Sequence, residues 1–276
     1  MKAEAQATGL LGALIREAER RIAAARPAMP QLARMAAQAD EPPDFRVALA
    51  AGPAVAVVAE IKRKSPSAGT LWRDGDVAAL AGKLEAGGAA ALSVLTEPAH
   101  FGGSLEDLSR VAAAVRVPVL RKDFILDPIQ LYEARAHGAA AVLLIARILD
   151  AGRLAELAEV SRGLGLATLV EVRSAAELTA ALAAQPTAVG VNARDLDTLA
   201  MSRRTVEELI GKVPADCVAV AESGLSVRAD VEAVAERGAD AVLVGAAIAG
   251  APDPVAALGS LMGVRRRPDA RAGGRR

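Results

Sequence analysis

The chain has 276 residues, 53% of them hydrophobic, enough for a full core, and its 33 lysines and arginines balance 33 aspartates and glutamates. That balance excludes a broadly basic nucleic-acid binder and an acidic disordered chain. A single cysteine (Cys217) excludes a disulfide framework, two histidines (His100 and His137) are too few for a histidine-rich metal site, and no uncharged apolar stretch approaches the ~18 residues of a membrane span.

The first segment carries Leu11, Leu14, Ile15, Ala18 and Ile22 on one stripe at helical spacing. Its short apolar patch is flanked by Glu4 on one side and by Arg16, Glu17, Glu19, Arg20 and Arg21 on the other. This predicts an amphipathic helix rather than a signal peptide, and hence a cytoplasmic protein. Residues 1–50 are expected to form a helical extension packed on the main domain, with Pro27, Pro30, Pro42 and Pro43 in loops after the helix.

Beyond it the chain repeats. Gly88, Gly138 and Gly238 each precede a short apolar run, and their spacing suits a unit of about 25 residues, one strand plus one helix. Eight runs follow: Val55–Ile61, Ala90–Leu95, Val117–Arg121, Ala141–Ile145, Ala167–Val172, Ala188–Val191, Cys217–Ala221 and Ala241–Gly245. Strands buried on both faces read as continuous apolar runs, as in parallel sheets. Helix-period segments separate them, with Pro128, Asp150 and Pro254 near helix starts. The pattern predicts an α/β fold, a (β/α)8 TIM barrel over residues 51–263. A doubly wound open sheet is the alternative, but no Gly-x-Gly-x-x-Gly follows a strand. The last segment, residues 264–276, holds six arginines and one aspartate and is predicted to be a disordered, solvated tail.

The carboxyl ends of barrel strands form active sites. Here they carry Glu60 and Lys62, then Lys122 and Asp123, Glu171, Asn192 and Arg194, and Glu222-Ser223-Gly224. Glu60 and Lys62 are two apart and face the same side of their strand. Buried charges must be paired, so two lysines and three glutamates converging on one mouth suit an anionic ligand and acid–base chemistry. Small residues after the last two runs, Gly224 and Gly245-Ala246, let a phosphate approach backbone N–H groups, and Ser65-Pro66-Ser67 offers hydroxyls. Phe101 and Phe124 are two of only three phenylalanines, and both flank the mouth, as a pocket for a planar ring requires.

These motifs resemble indole-3-glycerol-phosphate synthase. The likeness rests on Glu60-Ile61-Lys62-Arg63-Lys64-Ser65-Pro66-Ser67, Ser93-Val94-Leu95-Thr96-Glu97 with Phe101-Gly102-Gly103-Ser104, and Arg121-Lys122-Asp123-Phe124-Ile125. It extends through Leu169-Val170-Glu171-Val172, Gly190-Val191-Asn192-Ala193-Arg194-Asp195-Leu196 and Ala221-Glu222-Ser223-Gly224, covering about residues 50–262 in order. The resemblance implies a cofactor-free, metal-free lyase of tryptophan biosynthesis. Such an enzyme closes the pyrrole ring of 1-(2-carboxyphenylamino)-1-deoxy-D-ribulose 5-phosphate and releases carbon dioxide and water. It implies Lys122 as general acid at the ketone, Lys62 as partner of the anthranilate carboxylate, and Glu171 as base. Glu60 and Asn192 would orient these groups, with Glu222 and Ser223 completing the mouth. Gly224, Gly245 and Ala246 would bind phosphate, with Ser65 nearby; Phe101, Phe124, Leu143 and Leu196 would wall the ring, and Arg194 would contact substrate. The family often has a serine where this chain has Ala246, so one phosphate-binding hydroxyl is absent while the backbone amides remain. The expected partner is this small anionic substrate, with no nucleic acid and no membrane, acting on a monomer or at most a weak dimer.

Overall fold

The computed structural model describes residues 9–66, 69–71 and 75–271; Ser67 and residues 272–276 of the arginine-rich segment lie outside them. Eight strands, β1 (Ala56–Ile61), β2 (Ala91–Leu95), β3 (Val119–Lys122), β4 (Ala141–Ile145), β5 (Ala167–Val172), β6 (Ala188–Asn192), β7 (Val218–Glu222) and β8 (Ala241–Val244), run parallel in a closed ring. Closure comes from β8 pairing with β1, in register from Ala56↔Ala241 to Ala59↔Val244. The ring is the predicted (β/α)8 barrel. Its strands are buried almost throughout because the barrel interior faces one side and the helices cover the other. Three of the strands run one residue further than the apolar runs, so Lys122, Asn192 and Glu222 are strand residues rather than loop residues.

Local sequence sets the helix starts. Asp76, Ser104, Asp127, Asp150, Ser174, Ser202 and Asp253 each precede a helix, and each side chain accepts a hydrogen bond from a backbone N–H of the first turn. These caps satisfy donors that have no partner within the helix.

The N-terminal extension is richer than the sequence indicated. It contains α1 (Gly9–Ala25), α2 (Met29–Gln38) and α3 (Phe45–Ala50). The predicted stripe of α1, from Leu11 to Ile22, is the face it buries. Pro30 is in the first turn of α2, not in a loop, because a proline there sacrifices no intrahelical hydrogen bond. Ile22 and Leu32 form a small second core with Ile129.

The solvated-tail expectation fails for residues 264–271. Val55 N–H donates to the Val264 carbonyl at 2.7 Å, and Arg266 N–H donates to the Pro53 carbonyl at 2.8 Å. Asp240, 1% exposed at the amino end of β8, pairs with Arg266 at 2.8 Å and with Arg271 at 2.9 Å. Arg271 is itself 4% exposed and donates to the Cys217 carbonyl at 2.7 Å. Its stem fills the space left by Gly238, where a Cβ would lie 2.4 Å from Arg271 Cγ. A buried carboxylate needs cations, and these two arginines supply them at the end of the barrel opposite the mouth. Among the described residues, no helix is long and apolar enough to cross a membrane.

Candidate active site

Alternation along the strands builds the site. Glu60 on β1, Lys122 on β3, Glu171 on β5 and Glu222 on β7 occupy equivalent positions on the four odd strands. Such side chains fill one layer of a barrel interior. Two residues earlier on the same strands are Val58, Leu120, Leu169 and Val220, each no more than 1% exposed, which form the apolar layer beneath.

The even strands make room. Gly190 on β6 is in register with Glu171, and a Cβ there would lie 1.9 Å from Glu222 Oε1. At Gly245, just past β8, a Cβ would lie 2.2 Å from Glu60 Oε1 and 2.9 Å from Lys62 Nζ. Only glycine at these two positions lets four long charged side chains share one layer.

Lys122 Nζ stands at the centre, 3.9 Å from Glu60 Oε2, 3.9 Å from Glu171 Oε2 and 3.7 Å from Glu222 Oε2. Lys62 Nζ donates to Glu60 Oε1 at 2.5 Å. Burial disfavours the Lys122 ammonium, yet the three carboxylates outweigh it and hold the lysine above its ordinary range. Burial likewise pushes Glu60 up, but Lys62 and Lys122 reverse the shift and keep it below the usual value. Glu222 goes the other way. Its side chain is 1% exposed, and neither carboxylate oxygen has a hydrogen-bond partner. Burial, with Glu171 and Glu60 nearby and only partial relief from Lys122, pushes it to about 8. Two cations, Lys62 and Lys122, stand among three buried carboxylates, and the shortfall falls on Glu222, whose carboxyl is the one held above its usual range.

This layer floors a cavity of about 490 Å³. Lys62, Lys122, Glu60, Glu171, Asn192, Glu222, Ser223, Ser65, Phe101, Phe124, Leu143, Arg194, Leu196, Gly224, Gly245 and Ala246 all line it. Asn192 Oδ1 accepts the Arg194 N–H at 2.9 Å, which fixes the turn leaving β6. Ser223 and Gly224 are both left-handed, at φ 66° and 72°, so the chain turns sharply after β7. The Phe101 and Phe124 rings are 6.5 Å apart and tilted by 33°.

The structure adds lining residues that the sequence did not single out, Leu10 and Leu14 of α1, Leu95, Ile145, Leu199, Leu225, Ser226 and Leu243, and it brings the strand-end Asp123 to the same wall. Leu14 belongs to a visible apolar stripe, but nothing local says which end of the barrel that stripe covers.

Comparison with known proteins agrees with this geometry. The family profile described as indole-3-glycerol phosphate synthase matches residues 11–261. Indole-3-glycerol phosphate synthase 1 of Streptomyces coelicolor is 47% identical over 249 residues, 90% of this chain and 92% of its own. The Parafrankia enzyme of that name is 51% identical over 225 residues, 81% of this chain and 84% of its own. Among solved structures, thiamine phosphate pyrophosphorylase from Pyrococcus furiosus superposes with a TM-score of 0.58 at 19% identity, covering 79% of this chain and 96% of the other, a likeness of fold alone. With its profile match, its relatives and its charged barrel mouth in accord, the chain belongs to the indole-3-glycerol phosphate synthase family.

Proposed function

We propose that this chain converts 1-(2-carboxyphenylamino)-1-deoxy-D-ribulose 5-phosphate to indole-3-glycerol phosphate, carbon dioxide and water, with the following division of labour. Lys62 and Arg194 pair with the substrate carboxylate. Backbone amides of Gly224, Gly245 and Ala246 take the phosphate, with Ser65 beside them. Phe101, Phe124, Leu143 and Leu196 hold the aromatic ring over the ketone. This placement matters because an arene is a weak nucleophile, and fixing it against the carbonyl carbon in a dry pocket supplies much of the acceleration.

The ring carbon that bears the carboxylate attacks the ketone carbon, and a carbon–carbon bond forms. Negative charge develops on the ketone oxygen, and Lys122 donates a proton to it. The carbon–carboxylate bond then breaks, its electron pair restores the aromatic ring, and carbon dioxide departs. Loss of the new hydroxyl as water, with a proton removed by Glu171, completes the indole. Glu60 and Asn192 hold Lys62, Lys122 and the substrate hydroxyls in place, and Glu222 with Ser223 closes the layer beneath. Three cations (Lys62, Lys122 and Arg194) line the cavity and burial disfavours the charged form of Glu222, which favours an anionic substrate.

The observation that carries this reading is the Lys122 ammonium among three carboxylates at the floor of an apolar-walled cavity. Incubation of the purified chain with the substrate, followed by indole fluorescence, tests it. Sustained turnover is expected, and its absence in a folded preparation refutes the assignment. We propose as well a cytoplasmic protein that is a monomer or at most a weak dimer; sedimentation checks the oligomeric state.

A further inference from the structure

The loop that carries Arg194 is held by two arginines that the reaction as described does not use. After Asn192, the last residue of β6, the chain makes a small hairpin. Ser202 N–H donates to the Ala193 carbonyl at 2.8 Å, Asp195 N–H donates to the Ala200 carbonyl at 2.8 Å, and Arg194 faces Met201 across the hairpin. The tip turns at Leu199, which is left-handed at φ 59°. Asp195 braces the turn: its Oδ1 accepts from the Asp197 N–H at 2.9 Å and from the Thr198 N–H at 3.0 Å. Arg194, Leu196 and Leu199 of this hairpin all line the cavity.

These bonds fix the shape of the hairpin but not its tilt over the cavity. At its base Ala193 N–H donates to the Glu222 carbonyl at 2.9 Å. Further out, two arginines from the preceding strand ends reach it. Arg173, the residue after β5, donates from Nε to the Asn192 carbonyl at 3.2 Å and from Nη1 to Asp195 Oδ2. Arg147, two residues after β4, donates from Nη1 to the same oxygen at 3.0 Å and from Nη2 to Asp197 Oδ2. Arg173 is the inner of the two, 17% exposed against 35% for Arg147. Partial burial disfavours the Asp195 carboxylate, but the Thr198 and Asp197 amides and Arg147 outweigh it and hold the group well below the usual range.

Arg173 thus touches the chain on both sides of Arg194, two residues before it and one after. A planar guanidinium that binds two acceptors at once fixes their separation and direction, and with them the segment between. Within the hairpin the Arg194 guanidinium makes a long contact, 3.4 Å to the Leu199 carbonyl, so its aim follows the backbone that carries it.

We propose that Arg173 is a positioning residue for the carboxylate contact: by holding the Asn192 carbonyl and the Asp195 carboxylate together it aims the Arg194 guanidinium at the substrate. The proposal rests on the role assigned to Arg194 above.

The test titrates two ligands against the parent, Arg173→Met, Arg173→Lys, Asp195→Asn and Arg204→Ala. One ligand is the substrate with its ketone reduced to an alcohol, which keeps ring, carboxylate and phosphate but cannot close. The other is indole-3-glycerol phosphate, which has no carboxylate. Arg204 is a matched control, because it is exposed and pairs with Glu208 on its own helix. Arg173→Met is expected to fold, since Asp195 keeps Arg147 and the two turn amides. Outright loss of a charge-assisted contact weakens binding about 10- to 100-fold, and misaiming its arginine should cost part of that, about 5- to 20-fold, for the reduced substrate. Affinity for indole-3-glycerol phosphate should not change. Arg173→Lys, whose ammonium cannot span both acceptors, should lie between, and Arg204→Ala should match the parent. In an Arg194→Ala background Arg173→Met should add no further loss, as residues acting through one contact are not additive. Should Arg173→Met fail to fold, Asp195→Asn carries the same test, because it keeps the turn's acceptor oxygen and removes the charge. Equal weakening of both ligands would show that Arg173 merely supports the barrel mouth and overturns the proposal. An undiminished loss in the Arg194→Ala background, or no loss at all, overturns it too. A parent that binds neither ligand would refute the functional reading instead. Exchange of the Arg194 amide, which donates to Asn192 Oδ1, needs no ligand: it should be faster in Arg173→Met, and a parent-like rate refutes the link between the two arginines.

Discussion

Replacing Lys122 with methionine keeps a side chain of similar length and removes the ammonium, so it separates charge from packing. Removing a general acid costs about 10²- to 10⁴-fold, and removing a donor to a developing oxyanion about 10²- to 10³-fold. In the proposed mechanism Lys122 does both at one atom, so single-turnover rate should fall about 10³-fold or more, roughly 4 kcal/mol of barrier. Substrate affinity should change little, because Lys62, Arg194 and the phosphate amides remain. A second consequence follows from the three carboxylates 3.7–3.9 Å from Nζ. Glu60 keeps Lys62 at 2.5 Å, but Glu222 loses the cation that partly offsets its burial, and its raised carboxyl rises further. A carboxyl raised above its unfolded value contributes stability at low pH and loses it as pH climbs through the folded value. The deficit in Tm against the parent should therefore change little below neutral pH and grow as pH climbs through about 8 and beyond. Indole fluorescence under single-turnover conditions, substrate titration and thermal melts across that range provide the readouts. A near-parent single-turnover rate would refute the general-acid role and make Lys62 the first candidate. A pH-independent deficit would show that Lys122 does not relieve the burial of Glu222.

Three further outcomes are expected. Lys62→Ala should weaken substrate binding by roughly 1.5–3 kcal/mol, the range for a charge-assisted contact, as read by titration. Gly190→Ala puts a methyl where Glu222 Oε1 now lies, 1.9 Å away, so it should displace that carboxyl and lower kcat about 10- to 100-fold with the far-UV circular dichroism unchanged. Truncation after Gly263 removes Arg266 and Arg271 and leaves Asp240 buried without a cation. The cost should be about 3–5 kcal/mol. At about 2–4 °C per kcal/mol this lowers Tm by roughly 6–20 °C, while kcat of the folded enzyme stays near the parent value because the mouth is at the other end.

The barrel was legible because its evidence is local. A glycine, an apolar run and a helix-period segment recur through the chain, and each element forms from its own residues. The charged mouth was legible for the same reason, since strand ends are fixed once the strands are placed. Contacts between distant segments were not. Arg266 and Arg271 look like a solvated basic run until Asp240, more than 25 residues earlier, is seen buried between them. Arg21 looks like one more charge on a helix until α1 is laid against Asp123, 102 residues away. Gly190 reads as an unremarkable strand glycine, and its reason lies in Glu222 on the next strand. In each case a polar partner is supplied by the fold rather than by the neighbouring sequence.

The distribution of charge in the layer bears on turnover as well as on the chemical step. The proposed substrate brings a carboxylate and a phosphate to one cavity, and the free site meets it with Lys62, Lys122 and Arg194 and with a Glu222 carboxyl held above its usual range by burial. In the proposed reaction the carboxylate leaves as neutral carbon dioxide. Lys62 and Arg194 then lose their counter-ion on the ligand, whereas the phosphate amides lose nothing. Lys62 still has Glu60 at 2.5 Å and Arg194 returns to its own loop, so neither charge is stranded. In that reaction the charge contact that draws the substrate in is consumed by the chemistry, and the product keeps only its phosphate and ring contacts. A contact made to the substrate and absent from the product favours product release rather than the chemical step. Placing a glutamate beneath Lys62 and Lys122 serves both ends of the cycle: it orients the ammonium groups while substrate is bound and receives their charge once the carboxylate is gone.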